Sequence, residues 1–137
     1  MSISPRNLWP DDIAVTDAVA PVSLLKEQAS LLGERTKNLV EGRVTPGLGK
    51  GAAFLIAGRF NYDFDLVAPA LNNYRYHLFS ISHGVELYPL TISGTEALDS
   101  DDIEVNNEEE FLNALKRIFS FEKTKRIISS LIAQSTS

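Results

Sequence analysis

The sequence predicts an α+β domain: a four-stranded antiparallel meander sheet with one N-terminal helix and two C-terminal helices. Three observations predict it. Apolar residues recur at helical spacing near residues 21–33 and again over 108–132. Between them lie segments rich in aromatic and β-branched residues, separated by the turn signals Asn72-Asn73 and His83-Gly84. Helices set apart from an uninterrupted run of strands belong to the α+β class, whereas alternation would give a parallel sheet.

The 137 residues fit one domain. Residues 1–20 contain Pro5, Pro10, Asp11, Asp12 and Asp17 and no sustained period, so they read as an N-terminal arm, with Trp9, Ile13 and Val15 tacking it onto the domain of residues 21–137. The first helix starts at Pro21, where a missing N–H costs nothing. Leu24, Leu25, Leu31 and Leu32 form its stripe, and Gly33 is its stop, with continuation into Glu34–Thr36 as the alternative.

Residues 39–44 read as the first strand. The glycine-rich loop of residues 46–51 then leads into a second strand, 53–67, with a bend at Gly58. The third strand spans 74–82 and the fourth 85–93, with Pro89 placing the fourth at an edge. If both turns are two-residue hairpins, Leu66 faces Phe79, Phe64 faces Ile81, Phe79 faces Tyr88 and His77 faces Leu90. Phe60, Tyr62, Phe64, Leu66, Phe79, Ile81, Tyr88, Leu90 and Ile92 then share one face. The opposite face takes Asn61, Asp63, Asp65 and Ser80 together with Val67, Leu78 and Leu87. Residues 94–107 read as an acidic, irregular link. Asn107 caps the second helix, with Glu108, Glu109 and Glu110 in its first turn. Ser120 caps the third, whose stripe is Ile127, Ile128, Leu131 and Ile132.

The segment beginning Phe60-Asn61-Tyr62-Asp63-Phe64-Asp65-Leu66 and running through Asn72-Asn73-Tyr74-Arg75-Tyr76 to His83 resembles stretches of small uncharacterised bacterial proteins, as does Phe121 to Ile128. The resemblance implies a bacterial source and carries no named family, activity or catalytic residue.

The composition excludes several chemistries. There is no cysteine, hence no disulfide, thiolate metal site or cysteine nucleophile. With no basic-then-apolar leader and no apolar run near the ~20 residues of a membrane helix, the expected compartment is the cytoplasm, without membrane association. A net charge of −5 disfavours phosphate backbones as partners. The loop at Gly47-Leu48-Gly49-Lys50-Gly51 lacks the spacing, the hydroxyl residue and the following helix of a phosphate-binding loop. Asp63 and Asp65 project from one face and could hold a hard cation. His77 is expected on the aromatic face and His83 in an exposed turn. Seven acidic residues between Asp99 and Glu110 precede five basic ones, Lys116, Arg117, Lys123, Lys125 and Arg126. The two blocks can neutralise each other, or the basic block can meet an acidic partner.

The functional expectation is a protein–protein binding or regulatory module without catalytic activity, cofactor or metal. Its contact surface is expected at Tyr74, Tyr76, Leu78, Val67 and Leu87, through a partner protein or a homodimer. The alternative is a metal-dependent hydrolase or nuclease using Asp63/Asp65 or His77.

Overall fold

A computed structural model describes residues 6–47 and 58–137. The elements run α1 (Pro21–Arg35), β1 (Glu41–Pro46), β2 (Phe60–Ala68), a 3-10 turn (Pro69–Leu71), β3 (Tyr74–His83), β4 (Leu90–Ser93), β5 (Asp102–Val105), α2 (Glu108–Ser120) and α3 (Glu122–Ser135). The sheet is an antiparallel meander in the order β1-β2-β3-β4-β5. It has five strands where the sequence predicts four. The fifth comes from the stretch expected to be an irregular link: Ile103 pairs with Ile92 and Val105 with Leu90. Its acidic residues disguise a strand whose alternate positions are apolar. β5 also displaces β4 from the edge, so Pro89 lies just before an interior strand.

All three helices cover one face of the sheet. α1 packs on β1, α2 beside β5, and α3 over β2 and the 3-10 turn. The core gathers Phe64, Phe79, Ile81, Leu90 and Ile92 from the sheet with Leu25, Phe111, Ile118 and Leu131 from the helices. Phe64 stacks on Phe79 at 5.2 Å between ring centroids, and Phe119 of α2 closes on both. Tyr88 precedes β4 and meets the edge of Phe111. The expected aromatic face therefore exists.

Its register differs from the predicted one. Phe64 pairs with Phe79 and Tyr62 with Ile81, a shift of two residues, while Leu90 pairs with His83, a shift of six from His77. Both connections are longer than two residues. Pro69 ends β2 early, and the chain turns through Asn72 and Asn73, both at positive φ, before β3 begins. Even shifts leave side chains on the same face, which is why the pattern survived the wrong pairings.

An odd shift follows. Asp65 pairs with His77 directly after Phe64 pairs with Phe79, so Leu78 is an extra residue, a β-bulge. It reverses the sides of residues 74–77. Tyr74 and Tyr76 pair with Ala68 and Leu66 and lie on the helix-covered face; His77 crosses to the other. His83 is not an exposed turn residue. It ends β3 at 6 % exposure, stacked near Phe60 and Tyr62.

α1 runs past Gly33, and the reversal falls at Lys37 and Asn38, both at positive φ. The Val40 N–H donates to Thr36 Oγ1 (3.1 Å), which lies 2.6 Å from the Val40 carbonyl. Ala29 of α1 sits against Gly42 of β1, where a Cβ would come within 2.7 Å of it and 2.9 Å of Phe64. Asn107 caps α2 by accepting the Glu110 N–H at 2.9 Å, and the Glu110 carboxylate accepts the Asn106 N–H. Ser120 is the last residue of α2 and bonds the Lys116 carbonyl; the N-cap of α3 is Phe121. The arm is not tacked down: Trp9, Ile13 and Val15 are 73 %, 63 % and 103 % exposed. The second-strand residues expected at 53–57, and Leu48–Gly51 of the glycine-rich loop, lie outside the described residues.

Candidate functional site

Two constellations stand out, one on each face of the sheet. On the helix-covered face, α1 sits over β1 while α3 sits over β2 and the turn, and the gap between them is not filled. It forms a cleft of about 720 Å³. Phe64, Leu66 and Leu78 make its floor. Leu31 and Leu32 of α1 form one wall; Phe119 and Ile128 form the other. Gln28, Glu34, Arg35 and Thr36 supply a polar rim along α1. The bulge contributes directly, because it turns Leu78 toward the helices. A volume of this size lined by apolar side chains, with a few polar groups at its margin, is typical of binding clefts.

On the open face, two strands assemble a polar chain. Asp65 of β2 is 4 % exposed and lies directly opposite His77 of β3. His77 Nδ1 is 2.9 Å from Asp65 Oδ1, and Arg75 Nε approaches Asp65 Oδ2 at 3.4 Å. His77 Nε2 lies 3.1 Å from Ser80 Oγ, which donates to Asp63 Oδ1 at 2.7 Å. Ser80 and His77 share this face only because Leu78 is looped out between them.

The Asp65–His77–Ser80 geometry is that of a nucleophile, a base and an orienting carboxylate. Counting protons assigns it differently. Ser80 has one proton, and its shorter contact is to Asp63. With that proton donated to Asp63, the hydroxyl has none to give to His77 Nε2 at 3.1 Å. Ser80 is also 5 % exposed. The hydroxyl is thus a bridge between an imidazole and a carboxylate, and the chain pins β2 to β3. The same bonds occupy the carboxylates expected for a cation. Among the described residues no group of three His, Asp or Glu side chains is arranged to hold a metal.

The expected contact surface does not form one patch. Tyr74 and Tyr76 face α3, where they line a shallower hollow of about 400 Å³ with Ile127 and Leu131. Leu78 floors the cleft. Val67 alone is on the open face, at 0 % exposure, between Glu41 and Arg75 on the neighbouring strands. Leu87 is half-buried in the connection before β4. The reason in each case is the bulge or the longer connection. The charge blocks meet at Arg117, which reaches Asp99 at 3.0 Å, while Lys123 reaches Glu96, ahead of the acidic block, at 3.5 Å.

Neither the cleft nor the polar chain could be drawn from the sequence without the bulge. The available signal was Phe119 in the apolar stripe of the second helix and Leu78 as an apolar residue that the alternation assigns to the open face. No helix among the described residues is long and apolar enough to cross a membrane. No model of a known protein family, no curated protein and no solved structure matches the chain.

Proposed function

We propose that the chain is a small cytoplasmic protein-binding module and that its contact site is the cleft between α1 and α3, which receives an apolar segment of a partner. The observation that carries this reading is the pair of part-exposed apolar walls, Leu31 and Leu32 on one side and Phe119 and Ile128 on the other, standing apart over the buried floor of Phe64, Leu66 and Leu78. Such a groove accepts a segment that inserts a few apolar anchors while the polar rim meets its backbone and flanks. The absence of cysteine suits a reducing compartment. The metal-dependent hydrolase or nuclease reading has less support, because Asp65 is engaged by His77 and Arg75 and Asp63 by Ser80.

The test uses an environment-sensitive apolar dye and affinity capture together. Leu31 is 44 % exposed on the cleft wall, so Leu31→Glu places a charge there without disturbing the core. The same change at Val85, 85 % exposed and outside the cleft, is the control. The expected outcome is dye fluorescence and partner capture that survive Val85→Glu and fail in Leu31→Glu. Equal capture by both variants would remove the cleft as the contact site.

A further inference from the structure

The arm ahead of α1 carries five large apolar side chains that nothing covers: Leu8, Trp9, Ile13, Val15 and Val19, with exposures from 44 % to 103 %. Single exposed apolar residues are ordinary, but five within twelve positions are not. The same chain holds an unfilled apolar cleft alongside the helix that follows the arm. We propose that the arm of a second copy of this chain occupies the cleft, in a two-fold pair where each chain gives one arm and receives one. This rests on the reading of the cleft as a binding site.

The junction argues against the arm filling its own cleft. The cleft is walled by the second half of α1, Gln28 onward, while the arm departs from the first residue of that helix. To return it must fold back sharply at Ala20. Ala20 precedes Pro21, whose ring disfavours the helical region for the residue before it. Ala20 accordingly sits at φ −69, ψ 145, extended, and Pro21 is itself buried. In the arm beyond it, Trp9, Ile13 and Val15 stay exposed and do not line the cleft of their own chain. The arm's next turn is at Pro10, whose carbonyl accepts the Ile13 N–H at 3.1 Å, and this turn offers Trp9 and Ile13 together at the far end. The stretch from Ile13 to Ala20 covers up to ~25 Å when extended, enough to cross to a neighbouring protomer. A two-fold pair closes on itself and leaves neither cleft open.

Trp9 is the only tryptophan, so its emission reports the arm alone. The experiment follows the emission maximum and the light-scattering mass of the full chain from sub-micromolar to near-millimolar concentration. The expected result is an exposed-type emission at low concentration that moves to the blue as the mass doubles. The double variant Ile13→Ser/Val15→Ser, altered only at exposed positions, and Leu31→Glu at the cleft should each hold the protein as a monomer with red emission. A blue emission independent of concentration would place Trp9 in its own cleft and overturn the proposal. So would a monomer with red emission throughout, or a dimer that survives both variants. An apolar dye that binds this monomer and is lost in Leu31→Glu keeps the cleft reading while the arm exchange fails; a dye that ignores Leu31→Glu removes both.

Discussion

At the scale of single residues, the open face is decided by how many protons the polar groups can share. Asp65 is buried and accepts from His77, with Arg75 as a second, more exposed partner at 3.4 Å. His77→Ala leaves that carboxylate with the arginine alone. The expected cost is about 1–3 kcal/mol, read from urea unfolding midpoints. Tyr88 makes the opposite case. Its hydroxyl is enclosed and has no hydrogen-bond partner among the described residues. Burial pushes its phenol above the ordinary 10.0, and the Glu108 carboxylate adds to the shift. Both causes act on the phenolate, so folding carries no ionisation penalty while the phenol stays protonated. Stability is therefore undiminished below pH 10.0, where the unfolded phenol is still neutral, and falls as pH rises from there through the raised folded value. Tyr88→Phe should therefore match or exceed the parent in stability at neutral pH and flatten the alkaline loss, measured as unfolding midpoints across that range.

At the scale of elements, close approach and strand register do the work. α1 lies on β1 through Ala29 and Gly42, with the Phe64 ring beneath. Gly42→Ala puts a methyl group against helix backbone at 2.7 Å, which cannot move aside as a flexible side chain would. The expected destabilisation is about 1–3 kcal/mol or more, seen by chemical denaturation. The two hairpins show how little the exact turn matters to the sheet faces. Longer connections displaced the pairing by even steps, and Phe64, Phe79 and Ile92 stayed on the side the alternation assigns. The single extra residue at Leu78 changed far more, because one odd step exchanges the sides of every residue beyond it. Tyr74, Tyr76 and His77 were misplaced for this reason alone. β5 was missed because Asp102 and Glu104 gave its segment the composition of a loop.

At the scale of the whole molecule, one face of the sheet bears every helix, yet the cover is incomplete. Phe79 is fully buried, whereas Phe119, on the wall of the cleft, is only partly so. Truncation tests the difference. Phe79→Ala should cost about 3–5 kcal/mol by transfer and cavity terms, and Phe119→Ala clearly less, since it only widens a space that is already open. Equal losses in urea unfolding would mean that the cleft closes in solution. The same incomplete cover explains why the molecule has apolar surface to offer at both the cleft and the arm.

The sequence by itself determined the class, the order of the elements other than β5, the two C-terminal amphipathic helices, the Asn107 cap and the membership of the aromatic face at Phe60, Tyr62, Phe64, Phe79, Ile81, Leu90 and Ile92. These follow from local periodicity and from a two-residue alternation that tolerates even errors. Only the tertiary structure decided that Asp65, His77 and Ser80 meet, that Leu78 looks toward the helices, and that a cleft remains between α1 and α3. Those outcomes depend on one looped-out residue and on how far two helices stand apart. Both are settled by packing between segments distant in the chain, and no local pattern encodes them.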